Sequence, residues 1–253
     1  MIDIVALSDM HGTLPKIEKS FDLMLIAGDC VDLTCQRVVK LSEDWYLEEF
    51  LDWVDQLPFK DEQSKIILIA GNHDVGLEKM SSETKQLFLI ALDKRSNSRV
   101  VYLENELYIY KHDNEEISIF GTPWCKIFGN WAFMGNDDWL KFQYSKIPEK
   151  VDILLTHDAP YGTSDRCYGW LQYGRTPIHI GNEPLRDAIV DKKPKINIHA
   201  HLHTSNHNVE YLDNTAVFNV SILDEEYIEA FKPLYFNWPI KENTWYINEQ
   251  NKK

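Results

Sequence analysis

Residues able to do chemistry gather at five points of this chain, each directly after an apolar run. Asp9-Met10-His11 follows Ile4–Ser8, and Gly28-Asp29-Cys30 follows Leu23–Ala27. Gly71-Asn72-His73-Asp74 follows Ile66–Ile69, and Thr156-His157-Asp158 follows Val151–Leu155. Lys195–Ile198 leads into His199-Ala200-His201-Leu202-His203. One Asp-x-His is a common accident; five apolar runs that each release Asp, Asn or His at the same end are not. Carboxylate, carboxamide and imidazole without cysteine suit borderline-hard divalent cations such as Mn²⁺, Fe²⁺ or Zn²⁺. One Asp can bridge two such ions, and ions ~3.5–4 Å apart clamp a phosphoryl group for in-line displacement. The acidic ligands number only Asp9 and Asp29, so two divalent ions stay under-neutralised and attract a phosphate anion. A hydroxide bridging them is the expected nucleophile.

Such residues need strands that end together. Ile66–Ile69 is an unbroken aliphatic run, the pattern of a strand buried on both faces. Gly71 then lets the chain turn without a Cβ clash, at the carboxyl end of a strand where open α/β sheets bind ligands. Pro15–Phe21 reads as a short helix. Ser42–Leu57 reads as an amphipathic helix with Ser42 as N-cap and Trp45, Phe50, Leu51 and Val54 buried. Met80–Lys94 reads as another, apolar at Leu87, Leu89, Ile90 and Leu92. The βαβαβα opening implies a largely parallel sheet with right-handed crossovers. Val100–Leu103, Leu107–His112 and Ile117–Phe120 then suit a second, mixed or antiparallel sheet packed on the first. Gly181–Asp191 reads as a helix, and Asn208–Leu212 with Thr215–Ser221 as strands about the turn at Asp213-Asn214.

Two long loops stand out. Residues 122–142 hold Trp124, Phe128, Trp131, Phe133 and Trp139, to be read as core packing or as a wall on which a nucleobase stacks. Ala159–Gly181 is Gly-rich and is expected to rim the site beside His157. From Tyr227 the chain turns polar, with a tail expected to fray from about 240.

The 253 residues fit one large domain, with 44% hydrophobic and 12% aromatic content. A net charge of −14 argues against an extended nucleic-acid surface and against anionic lipid. The N-terminus shows no signal-peptide pattern, and no apolar run approaches ~20 residues. Cys30, Cys35, Cys125 and Cys167 lack knuckle or framework spacing and read as reduced thiols, so a cytoplasmic location is expected.

The motif set D-x-H, G-D, G-N-H-D, a later His and H-x-H resembles the calcineurin-like metallophosphoesterase superfamily, over Asp9 to His203. The resemblance implies a four-layer α/β/β/α sandwich of two mixed sheets flanked by helices. It implies that Asp9, His11 and His203 bind one metal ion, that Asn72, His157 and His201 bind a second, and that Asp29 bridges. It places His73 beside the leaving group as general acid. Asp32, three residues beyond Asp29, could orient His73 or cap a helix. Mn²⁺ is the first choice of metal. Gly121-Thr122-Pro123-Trp124, the Phe128-Gly129-x-Trp131-Ala132-Phe133 segment and Asp165-Arg166 are similar to the metallophosphoesterase-domain-containing (MPPED-like) subfamily. That implies hydrolysis of cyclic nucleotides or other small phosphodiesters. Protein phosphatases carry Arg-Gly where Leu33-Thr34 follow Asp32, so a phosphoprotein substrate is disfavoured. The alternatives are a phosphomonoesterase or dinucleotide hydrolase on the same site, or a scaffold without catalysis, which usually loses such ligands. The family's last motif has Gly where this chain has Ala200. Its methyl is expected to crowd the site, or to strain the backbone if that position needs positive φ. Of the other histidines, His112, His199 and His207 read as structural, and His179 is the best placed for substrate contact. Asp74 and Asp158 read as supporting or turn residues.

Overall fold

A computed structural model describes residues 1–167 and 176–239. β1 (Ile2–Leu7), β2 (Leu23–Ile26), β3 (Lys65–Leu68) and β4 (Val100–Tyr102) run parallel, and β13 (Leu234–Trp238) adds antiparallel beside β1, giving the order β13-β1-β2-β3-β4. The second sheet is built from β5 (Glu106–His112), β6 (Glu115–Thr122), β9 (Ile153–Thr156), β10 (Ile196–His199), β11 (Glu210–Leu212) and β12 (Thr215–Asn219). Its order is β11-β12-β10-β9-β6-β5. The central strands β6, β9, β10 and β12 are parallel, while β5 and β11 are antiparallel edges. A short parallel pair, β7 (Cys125–Lys126) and β8 (Met134–Gly135), closes the aromatic loop. Leu7, Ile26 and Leu68 lie level across the first sheet, so three chemistry-bearing turns emerge side by side.

The aliphatic runs explain the layers. Alternate residues of both sheets, among them Ile4, Leu25, Ile67, Ile119, Ile153 and Ile198, meet in one buried cluster. The other face of the first sheet (Leu7, Met24, Ile26, Leu68) packs on helices through Tyr46, Phe50, Phe88 and Leu92. The other face of the second sheet (Phe120, Leu154) packs on α5 (Asp137–Tyr144) and α6 (Glu183–Lys192) through Leu140, Tyr144, Leu185 and Ile189. The result is helices, sheet, sheet, helices, as expected for the four-layer α/β/β/α sandwich.

Several local expectations are corrected. Pro15–Phe21 forms no helix: Pro15 O accepts from Trp53 Nε1 at 2.8 Å and Phe21 N donates to Pro58 O, so tertiary partners take these groups. So short a run cannot nucleate against that competition. Ser42 lies inside α1 (Val39–Trp45), which continues through a π turn (Tyr46–Phe50) into α2 (Leu51–Val54). Its hydroxyl donates to Cys35 O at 2.9 Å, so it caps nothing. Trp45, Phe50, Leu51 and Val54 are buried as expected, joined by Tyr46 and Trp53. After the short α3 (Val75–Lys79), α4 (Ser82–Arg95) is capped by the Ser81 side chain on Thr84 N. It buries Phe88 and Leu92 and leaves Leu87 and Ile90 exposed, because apolar residues surround it and the pattern cannot choose a face. β4 joins the first sheet beside β3 instead of opening the second. β13 lies within the stretch read as polar, where Trp238 reaches the inter-sheet cluster. The tail expected to fray from about 240 lies outside the described residues, as does part of the expected rim, 168–175.

Ala200 is fully buried in the inter-sheet cluster, and its φ lies outside the left-handed region. The expected backbone strain is therefore absent, and its methyl packs between the sheets. Ala200→Gly should cost about 1–2 kcal/mol, combining a glycine's extra entropy with a lost buried methyl. A melting curve should show the loss while turnover stays unchanged; a gain in turnover would return Ala200 to the site.

Candidate metal centre

The turns that carry the expected ligands are held in sparsely populated backbone. Asp9, His11, Asp29 and His201 have φ of 52°, 44°, 51° and 70°. Such strain persists only where surroundings enforce it, and it clusters at functional sites. Gly28, at φ 100°, packs against the Gly71 backbone so closely that a Cβ would stand 2.6 Å from Gly71 N. A Cβ on Gly71 would stand 2.6 Å from His157 Cε1. Both positions therefore require glycine.

Asp74 enforces this geometry. Its buried carboxylate accepts from Asp29 N at 2.9 Å, Gly71 N at 2.7 Å and the Tyr46 hydroxyl at 2.7 Å. Burial and the Asp29 charge push its pKa up to about 6. On the second sheet Asp158 ties the turn after β9 to its surroundings, accepting from Lys126 N at 2.8 Å and Asn182 Nδ2 at 2.9 Å. Both are the supporting residues expected.

The ligand candidates converge from both sheets. Asp29 Oδ1 accepts from His73 N at 2.7 Å, and Asp29 Oδ2 lies 3.3 Å from His157 Nε2 and 3.9 Å from His11 Nε2. Asn72 Oδ1 is 2.9 Å from His157 Nε2. Asp9 Oδ2 accepts from His201 N at 3.0 Å and from the Ser221 hydroxyl, while Asp9 Oδ1 faces His203 Nε2 at 3.7 Å. Two groups bring ligand atoms within 4.8 Å of one another: Asp9, His11 and His203; and Asp9, Asp29 and His157. Asp9 is common to both, while Asp29 stands between His11 and His157. The His201 ring lies 5.1 Å from that of His157, beside these groups and lining the same cavity.

Electrostatics ask for cations here. Asp9 Oδ1 and both ring nitrogens of His11 are buried without a hydrogen-bond partner, a costly state unless an ion completes them. His157 Nδ1 donates to Ala27 O at 2.7 Å and His203 Nδ1 to Asp224 O at 2.8 Å, which turns each Nε2 toward the carboxylates. Burial opposes protonation of both rings, yet Asp29 raises the His157 pKa to about 10 and Asp9 raises that of His203 to about 9. Burial alone would raise Asp9 and Asp29, but the surrounding imidazoles hold both well below the carboxylate range. Burial takes His11 down to about 4. Anionic oxygens and imidazole nitrogens converge here, a donor set that divalent cations fit.

Above these atoms lies a cavity of about 660 Å³. His73 lines it, stacked on Trp131 with centroids 4.2 Å apart, and the Arg37 guanidinium covers Trp131 at 4.3 Å. His73 Nδ1 donates to Gln36 Oε1 at 2.6 Å, and Gln36 Nε2 donates to Leu33 O at 2.8 Å, which fixes the amide. Asp32 is corrected: it does not touch His73. Its Oδ1 accepts from Thr34 N at 2.7 Å, and its carbonyl accepts from Cys35 N and Gln36 N, so it closes a turn. No signal in the sequence marked Gln36, because the pairing spans 37 positions. Tyr227 was also missed; its ring meets that of His11 edge-on at 4.8 Å. The aromatic loop divides between core and cavity: Phe133 is buried in the core, whereas Phe128 and Trp131 line the cavity. His179 lines the cavity too, held by Asp165 and accepting from Arg166 Nε at 3.3 Å. His207 stacks on Phe231, His199 is buried, and His112 sits at the far end of the sheets with Asp22 and Asp61.

The calcineurin-like phosphoesterase family profile matches residues 2–205. The chain belongs to the calcineurin-like phosphoesterase family. It is thus a metal-dependent phosphoric ester hydrolase. Metallophosphoesterase domain-containing protein 1 of Homo sapiens is 26% identical over 253 residues, covering 95% of this phosphoesterase and 72% of the relative. UPF0046 protein C25E10.12 of Caenorhabditis elegans is 27% identical over 250 residues, covering 94% and 82%. Two solved structures share the fold: TT1561 of Thermus thermophilus (TM-score 0.56, 11% identity, 86% and 88% covered) and the phosphopantetheinyl hydrolase PptH of Mycobacterium tuberculosis (0.52, 13%, 87% and 88%). Among the described residues no helix is long and apolar enough to cross a membrane.

Asp74→Asn places an amide where two backbone N–H groups need acceptors. It should lower Mn²⁺ affinity about 10–100-fold, as loss of a ligand-orienting partner does, measured by calorimetric titration. Tyr46→Phe, which removes a donor only, should cost about 1–3 kcal/mol of stability and leave Mn²⁺ binding in place.

Proposed function

We propose that this phosphoesterase is a dinuclear phosphodiesterase acting on small diesters, with cyclic nucleotides as the first candidates. The observation that carries this reading is one cavity lined at once by the ligand candidates Asp29, Asn72, His201 and His203, by His73 and by the aromatic side chains of Trp131 and Phe128. Asp9, His11 and His203 would hold one ion, Asn72, His157 and His201 the other, with Asp29 between them; Mn²⁺ is preferred, and Fe²⁺ and Zn²⁺ suit the same donors. When bound, the ions supply Lewis-acid stabilisation and lower the pKa of a water.

The chain's own residues do the rest. Gln36 accepts the Nδ1 proton of His73, which leaves Nε2 to face the cavity and, in the imidazolium, to donate to the departing alkoxide. Trp131 and Arg37 hold the imidazole plane. Phe128, 56% exposed at the cavity, offers a flat apolar face to the alcohol part of a diester. The acidic surface disfavours long nucleic acid.

A positioned general acid contributes ~10²–10⁴-fold in rate. An alkyl leaving group such as a ribose oxygen needs that proton, while p-nitrophenolate hardly does. His73→Ala should therefore damage cyclic-nucleotide hydrolysis far more than that of bis-p-nitrophenyl phosphate, with metal content intact. Gln36→Ala should shift the same ratio in the same direction, whereas Asp32→Ala should not. His201→Ala should weaken metal binding and harm both substrates alike. Equal losses on both substrates after His73→Ala would refute the acid role.

The substrate class is tested by turnover of cyclic nucleotides, bis-p-nitrophenyl phosphate and p-nitrophenyl phosphate with Mn²⁺, Mg²⁺ and Zn²⁺. Diesters should lead. A monoester turned over much faster with every metal would favour the phosphomonoesterase reading.

A further inference from the structure

A second set of metal-ligating side chains lies away from this centre. Asp22 precedes β2 while Asp29 follows it, so the two are separated by roughly 20 Å of strand and turn at ~3.3 Å per residue. At the Asp22 end, His112 Nε2 lies 3.4 Å from Asp22 Oδ1 and 3.0 Å from Asp61 Oδ2. The three ligand atoms fall within 4.8 Å of one another. They come from three places: the entry to β2, the loop before β3, and the last residue of β5 in the other sheet.

Among the described residues, Asp22 has one carboxylate oxygen tied off and one without a hydrogen bond, and Asp61 has one tied off and one shared with His112. Asp22 is buried; its Oδ2 accepts from Asp3 N at 2.6 Å and Lys60 Nζ at 2.8 Å, while no hydrogen bond among the described residues reaches its Oδ1. Asp61 Oδ1 accepts from Gln63 N at 2.8 Å and Ser64 N at 3.1 Å, while its Oδ2 is hydrogen-bonded to His112 Nε2 at 3.0 Å. Behind the imidazole, His112 Nδ1 faces Asp113 Oδ2 at 3.8 Å. Ligating carboxylates held by outer hydrogen-bond partners are how metal sites are oriented. The charge balance agrees. Lys60 pairs with Asp3 as well as Asp22 and the Arg99 guanidinium donates to Asp61 O at 2.9 Å, so Asp3, Asp22, Asp61 and Asp113 face two cations around His112. Donor separations of 3.0 and 3.4 Å also suit bonds of about 2.0–2.2 Å to one tetrahedral ion.

We propose that Asp22, Asp61 and His112 form a non-catalytic site for one divalent transition-metal ion, with Zn²⁺ the best match to one imidazole and two carboxylates. A water completes the coordination. The ion staples the two sheets at the end opposite the phosphoesterase centre. This inference does not depend on how many ions that centre takes.

The test counts ions by difference. Full-length protein stripped with chelator is titrated with Zn²⁺ alone and with Co²⁺ alone, and bound metal is measured after dialysis. Wild type should retain about one equivalent more than Asp61→Asn or His112→Ala, and Co²⁺ should lose part of its tetrahedral absorption in both variants. Zn²⁺ should raise the wild-type melting temperature by about 5 °C more than that of Asp61→Asn, as saturating ligand does for a domain of this size. The Asp61 side chain is 43% exposed, so Asp61→Asn should fold even if His112→Ala does not. Its hydrolysis of bis-p-nitrophenyl phosphate with Mn²⁺ should equal that of wild type. Equal metal content in wild type and Asp61→Asn overturns the proposal and leaves the trio an ion pair. Loss of activity together with the ion also overturns it, because the counted metal would then belong to the catalytic centre.

Discussion

The centre depends on one buried carboxylate. Asp74 takes hydrogen bonds from Asp29 N, Gly71 N and the Tyr46 hydroxyl, and so joins the turns after β2 and β3 to the helical layer beneath. Burying a carboxylate is costly unless its lone pairs are filled. Here three donors fill them, at the expense of placing a second acid close to Asp29, which together with burial raises the Asp74 pKa. Without that anchor the left-handed backbone at Asp29 has little to hold it, since positive φ is costly for a residue that carries a Cβ.

The centre is also a product of sheet packing. Asp9, His11, Asp29 and Asn72 come from the first sheet, and His157, His201 and His203 from the second. Hydrogen bonds cross between them beside the candidate ligands: Ile222 N donates to Ser8 O at 3.1 Å, and His201 N donates to the Asp9 side-chain Oδ2. The aliphatic cluster between the sheets therefore does more than stabilise the fold, because it sets the distance between the two halves of the donor set.

The surroundings of His73 show how one residue draws its properties from distant neighbours. The amide of Gln36 fixes which ring nitrogen carries the proton, and the indole of Trp131 fixes the plane. The Arg37 guanidinium braces the far face of that indole. Aromatic residues of a long loop thereby shape the cavity as well as the core.

The sequence alone determined the strands, because unbroken aliphatic runs ending on Asp, Asn, His or Gly have few other stable solutions than buried strands with functional ends. It also determined the motif residues, since their types and order repeat the same pattern five times. It could not place Val100–Tyr102 in the first sheet or find Leu234–Trp238, for edge strands are chosen by neighbours rather than by local pattern. Nor could it choose the buried face of Ser82–Arg95, where apolar residues lie all round. The partner of His73 shows the same limit: Asp32 and Gln36 are both near in sequence to the second motif, but only the turn closed by Asp32 decides that Gln36 is the one that reaches the ring. The position of Ala200 was likewise read correctly as a departure, but whether its methyl faced the site or the core depended on the strand it follows, and the pleat of β10 turns it between the sheets.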